Sequence, residues 1–223
     1  MDFNQFQKFF SAMRVNRYLQ AVHGESDAAI KLYRNNLKIA RAFHPLLGIV
    51  EVALRNRLND LLTVYFHDAD WIINQKNGFM SDSSLTNSFL RDEVTRAEKR
   101  LKRMGVPVTA GKIIAEQSFG FWSDLFAKYH YRILQGRVIK AFVNLPPNCG
   151  RKEVYRKLGQ IRKFRNRINH NEPVCFKGDT ADFTEALKVH QSIVCILQWL
   201  GPELSEFVTG LDEVRYEISS AAS

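Results

Sequence analysis

The sequence predicts an all-α fold. Apolar residues recur every three or four positions through most of the chain, and no run alternates with the period of two that a half-buried strand shows. Helix-breaking residues, among them Gly24, Gly105, Pro173 and Gly201, fall between the periodic segments.

Taken in order, Phe3 to Leu19 reads as a short helix with Phe6, Phe9, Phe10, Met13 and Val15 on its apolar side, closed by Gly24. Ser26 or Asp27 offers an N-cap for a second helix, whose apolar positions are Ile30, Tyr33, Leu37, Ala40 and Phe43. Pro45 fits the first turn of a third, Leu46 to about Phe66, with a seam of Leu47, Val50, Leu54, Leu58, Leu61 and Tyr65. His67 to Asn87 has loop composition, pinned by Trp71, Ile72 and Phe79. Phe89 to Met104 is a charged surface helix ending at Gly105. Thr109 caps a segment that runs into Phe119-Gly-Phe-Trp122, Leu125, Phe126, Tyr129 and Ile133. Those aromatics are read as core residues, with base stacking as the alternative for rings interleaved with Lys128 and Arg132. Leu145 to Gly150 is a loop, and a last long helix runs from about Phe183 to Gly201-Pro202. We read one helical domain over residues 1–223, with its core over about 26–200.

The composition is that of an ordinary folded chain, with 45% hydrophobic and 25% charged residues. A net charge of +9 favours a polyanionic partner. Three dispersed cysteines without C-x-x-C argue against a disulfide or metal framework and fit a reducing, cytoplasmic compartment. The start MDFNQFQKFF lacks the pattern of a signal peptide, and no apolar run reaches the ~20 residues of a membrane span. His67, Asp68 and Asp70 are loop acids and an imidazole rather than a metal site, and P-loop, G-x-S-x-G and H-E-x-x-H motifs are absent from the sequence. No cofactor is expected.

The chemistry converges on Arg151 to Phe176. Val154, Leu158, Ile161, Phe164 or Arg165, and Ile168 form one buried stripe. Lys152, Arg156, Lys163 and Arg167 form a basic one, and with Arg162 they are the candidate phosphate contacts. Eight Lys or Arg stand between Arg151 and Arg167 against Glu153 alone. Pro173 ends the helical pattern. Its last turns hold Arg165, Asn166, Arg167, Asn169 and His170. His170 is the group able to exchange a proton near neutrality. Arg165 lies about 140° round the helix and about 7.5 Å along it from His170, so both can border one groove.

Arg165-Asn-x-x-x-His170 resembles the R-x(4–6)-H signature of the HEPN ribonucleases. With 18 Arg and 6 His in the chain, one or two matches to the bare spacing arise by chance, and Arg17/His23 is a second one. What separates the two is the Asn after the arginine, the basic helix and the Glu-Pro stop. The run Arg165 to Val174 is similar to the C-terminal motif of the Abi-like (abortive infection) family of that superfamily, which commonly has a second histidine where Asn171 stands. Glu51-Val-Ala-Leu-Arg55-Asn56, Leu32 to Asn36, and Phe119 to Trp122 resemble further Abi-like elements, so the likeness spans most of residues 11–176.

The resemblance implies a HEPN-like helical bundle with additional helices and long loops. It also implies metal-free RNA cleavage to a 2′,3′-cyclic phosphate, at a cleft where two motifs meet across a homodimer. His170 would move the proton and Arg165 stabilise charge on the phosphorus. Asn166 and Asn169 would orient the imidazole or the backbone. Glu51 and Arg55 read either as a plain i,i+4 ion pair or as a brace for the site. Three functions follow: an endoribonuclease that acts as a toxin in antiviral defence, restrained by an RNA or protein partner; a non-catalytic module holding a small structured RNA; and a scaffold that only dimerises.

Overall fold

The computed structural model describes residues 1–222, and the fold is all-α. Helix α1 (Phe3–Phe10) and α2 (Ala12–Ala21) lead into α3 (Ser26–Phe66), α4 (Trp71–Asn74), α5 (Phe89–Arg103), α6 (Ala110–Glu116), α7 (Phe119–Asp124), α8 (Lys128–Ile133) and α9 (Arg151–Asn169). The two-residue strands β1 (Phe176–Lys177) and β2 (Thr180–Ala181) form an antiparallel hairpin over Gly178. Then come α10 (Thr184–Leu200), α11 (Pro202–Val208) and α12 (Val214–Ala222).

The spine is α3, 41 residues long. The sequence predicts two helices meeting at Pro45, yet the helix runs through that proline unbroken. The reason is visible in the burial pattern. Ala42, Phe43, Leu46 and Leu47 are all buried around Pro45, while Pro45 itself and Arg41, whose carbonyl loses its amide partner, face solvent. Water can satisfy that carbonyl, and a continuous buried seam holds the axis together. Three smaller expectations also change. Ser11, at φ 64°, breaks the first helix into α1 and α2, so Phe9 and Met13 turn outward instead of into the core. The N-cap of α3 is Glu25 rather than Ser26 or Asp27, without a side-chain capping bond. Leu37 is exposed, because Leu32, Tyr33, Asn36 and Ile39 take the inner face.

The long middle loop is pinned as expected, with Trp71, Ile72 and Phe79 buried. Phe119, Phe121, Trp122 and Phe126 are core residues. Two apolar clusters share α3. The larger one joins its second half to α5, α7, α9, α10 and α12. The smaller one packs Phe6, Val15 and Tyr18 of α1 and α2 on Tyr33 and on Cys175–Phe176. Helix α9 is held between α10, α7 and α3. Phe164 meets Phe43 with ring centroids 4.7 Å apart, which fixes the separation of α9 from the spine.

Candidate active site

Helix α9 is built mostly from strong helix formers and starts at an extended Gly150. Its buried stripe is Val154, Leu158, Ile161, Phe164 and Ile168, which resolves the choice between Phe164 and Arg165 in favour of the phenylalanine. The end is a Schellman cap. Asn171 sits at φ 54° and donates its N–H to the Ile168 carbonyl (3.0 Å), and the Glu172 N–H reaches the Arg167 carbonyl (2.8 Å). The left-handed position tolerates Asn and His better than most side chains. This gives Asn171 a backbone role in ending α9.

The segment after the cap is tied down twice. Arg167 donates through one Nη to the Pro173 carbonyl and through the other to Glu185 Oε2 at 2.7 Å. The buried Asn36 accepts the Val174 N–H on Oδ1 at 2.7 Å. The basic stripe predicts a free Arg167 that contacts phosphate. It is instead a half-buried strut joining α9 to α10, because the chain doubles back beneath it at Pro173. Asn36 belongs to the Leu32–Asn36 element noted in the sequence, but nothing local in the sequence marks its partner 138 residues away.

Arg165 Nη2 lies 2.9 Å from Glu51 Oε2, with side chains 26% and 17% exposed. Glu51 therefore holds Arg165 from another helix. Arg55 does not take part: its Nε turns to Asn56 Oδ1 at 3.4 Å, and the expected i,i+4 pair with Glu51 gives way to the pair across helices. A guanidinium carries five N–H donors, so the bond to Glu51 leaves others for a phosphate. His170 caps the helix with an exposed ring, and Asn166 and Asn169 are exposed near it. The last turn of α9 thus presents imidazole and amides outward, while Arg165 stands at the flank against α3.

The basic residues divide into two groups. Arg156 is committed to its own helix, donating to Glu153 (2.6 and 3.0 Å) and Gln160 (3.1 Å). That bond holds the Glu153 carboxyl below its ordinary range and raises Arg156. Lys152 and Lys163 are exposed and Arg162 half-exposed, and among the described residues Glu153, Glu51 and Glu185 pair with other cations of α9. Arg17, of the second R-x-H match, is not idle. Its guanidinium lies 4.5 Å from the Phe176 ring centroid and donates to the Gly178 carbonyl at 2.7 Å, so it holds the hairpin.

No group of three or more His, Cys, Asp or Glu able to hold a metal occurs among the described residues. Asp68 instead ties its own loop, accepting from Asp70 N–H and Asn74 Nδ2. No described helix is long and apolar enough to cross a membrane. Behind the site, burial pushes the Cys175 thiol up to about 12 and the Tyr18 phenol above its ordinary value. Cys175 is accordingly a protonated core residue rather than a nucleophile. Both shifts make folding weaker at high pH. The unfolded thiol ionises near 9.0 while the folded one holds its proton to about 12, so the stabilisation is complete below the first value and is lost above it. The urea midpoint is expected to fall between pH about 8 and about 10.5, and to fall less steeply in Cys175→Ala. Equal slopes in the two proteins would assign the alkaline loss to other groups.

Comparison with protein-family models, with curated proteins and with solved structures finds no match to this chain.

Proposed function

We propose that this chain is a metal-independent endoribonuclease of the HEPN type, acting in the cytoplasm in phage defence as a homodimer restrained by an RNA or protein partner. The observation that carries the reading is the arrangement at the end of α9: an exposed His170 with Asn166 and Asn169, and Arg165 held at its flank by Glu51 from another helix. An arginine fixed in place meets a phosphate with less ordering cost than a free one. RNA supplies its own nucleophile. The 2′-oxygen attacks phosphorus, its proton passes to an imidazole, and the 5′-oxygen leaves with a proton, giving a 2′,3′-cyclic phosphate. Two motifs facing each other across a dimer provide one imidazole for each transfer, and Arg165 stabilises charge on the non-bridging oxygens.

The alternative is a non-catalytic module that holds a structured RNA. It draws on the exposed Lys152 and Lys163 and the half-exposed Arg162, which serve RNA binding with or without chemistry. Incubating purified protein with mixed RNA in EDTA decides between them. Cyclic-phosphate ends support the enzyme, whereas tight binding without cleavage supports the module. In either case affinity should fall steeply with salt. Neutralising Lys152, Arg162 and Lys163 together should flatten that dependence by about one unit for each phosphate that no longer meets a cation. An unchanged slope would place the RNA elsewhere.

Glu51 gives a test of the brace. Glu51→Gln removes a carboxylate from a partly exposed pair, so stability should change by no more than about 1 kcal/mol. RNA affinity should rise, because a negative charge is gone, while kcat falls, because Arg165 is no longer held. Arg55→Ala should alter neither. Parallel changes in affinity and kcat for Glu51→Gln would remove the brace from the mechanism.

A further inference from the structure

A cleft of about 420 Å³ opens at the other end of α9, where Arg151 and Tyr155 meet Lys128, Tyr129 and His130 of α8. Three features set it apart from a chance hollow. First, Tyr129 and Tyr155 are large rings left 41% and 36% exposed in its wall, beside the exposed Lys128. Second, its one acidic wall residue, Asp124, is already engaged, with both its carbonyl and Oδ2 3.1 Å from His130 Nδ1. Third, His130 is 2% exposed and its Nε2 has no hydrogen-bonding partner, so the wall contains a buried polar atom that the protein leaves unsatisfied. Rings with a π-face and cations are what a nucleotide needs for its base and its phosphate.

One side of α9 leads from the cleft to the candidate site. Tyr155, Gly159, Arg162, Asn166 and His170 follow at steps of three and four, with Lys163 next to them. Gly159 is in mid-helix, where glycine costs about 0.5–1 kcal/mol relative to alanine. A Cβ there would meet nothing within 4 Å, so packing within the chain does not call for it. A bare helix surface between two polar ends lets a sugar–phosphate backbone approach closely. From Tyr155 to His170 the helix advances about 22 Å, the length of about six stacked nucleotides at roughly 3.4 Å each.

We infer that the cleft lined by Lys128, Tyr129, Arg151 and Tyr155 is a nucleotide-binding subsite, which holds a base of the RNA strand several nucleotides from the bond cleaved at His170. This rests on the RNA-cleaving reading, and the experiment separates the two. Binding of adenosine 5′-monophosphate and of ribose 5-phosphate to the full-length protein is measured by ligand-observed NMR, and binding of a short oligoadenylate by fluorescence anisotropy. The base-bearing nucleotide should bind at least tenfold more tightly than ribose 5-phosphate. Tyr129→Ala with Tyr155→Ala should lower its affinity about 5- to 150-fold for each ring that stacks. The paired Phe substitutions should retain binding, and far-UV circular dichroism should be unchanged because both rings lie at the surface. The oligoadenylate should weaken in the Ala pair as well. Absent nucleotide binding, or equal binding by the Ala pair, overturns the subsite. Loss of mononucleotide binding with unchanged oligoadenylate affinity overturns its place on the strand and leaves a pocket for a free nucleotide. If His170→Ala cleaves RNA like the wild type, the catalytic reading fails while the mononucleotide results still decide the subsite.

Discussion

Turnover of RNA by His170→Ala is expected to fall by about 10²- to 10⁴-fold, the range in which a positioned general acid or base contributes. Arg165→Ala should fall by about 10²- to 10³-fold, as when one preorganised donor to a developing charge is removed. In both variants kcat should drop much more than RNA affinity, because in the proposed mechanism each group acts on the transition state more than on the bound strand. His170 is an exposed cap whose backbone bonds do not depend on its ring, so folding should be unaffected. Arg165→Ala leaves Glu51 without its partner, but Glu51 keeps access to water. Toxicity in cells should disappear with either change. Single-turnover cleavage of labelled RNA in EDTA measures the effect. Wild-type rates in either variant, or a wild-type reaction that EDTA stops, would move the chemistry away from this pair. Arg17→Ala is a poor control, since it loosens the hairpin through Phe176 and Gly178. His23→Ala is the better one.

Phe164→Ala should cost about 3–5 kcal/mol of folding stability, a large share of the ~5–15 kcal/mol typical of a folded domain. Phe164 is 1% exposed and tilts against Phe43 of α3 in the close-packed core. The same ring pair spaces α9 from the helix carrying Glu51. Urea unfolding of Phe164→Ala, Phe43→Ala and the double variant should show the two effects to be non-additive by about 0.5–1.5 kcal/mol. Strict additivity would mean that each ring packs independently of the other.

The helical fold was legible because burial repeats along the sequence with the helical period. The stripe from Val154 to Ile168 predicts which side of α9 is inside, and the breaks at Gly24, Gly105 and Gly201 fall where helices stop. Pro45 misleads because proline is judged locally. Its cost depends on whether the freed carbonyl meets water, which only the fold decides. Arg165 and His170 stand out by their spacing and neighbours. Glu51 stands out as a brace only through the resemblance, and nothing local assigns Asn36 and Glu185 to partners 138 and 18 residues away. Arg167 illustrates the limit well. On the sequence it continues a basic stripe, and in space the turn at Pro173 brings a carbonyl and a carboxylate to it.

The uninterrupted α3 gives the motif a common ruler. Asn36 grips the chain just beyond the motif and Glu51 grips its arginine, and the two grips are about 22 Å apart on one helix. Pro45 falls between them, at the one point where that axis lacks a backbone bond. Any bending of α3 there shifts one grip against the other and so changes the alignment of Arg165 with the end of α9. The N-terminal helices rest on the Asn36 side of this weak point, around Tyr33. A partner pressing on α1 and α2 would therefore have a mechanical route to the arginine without touching α9 at all.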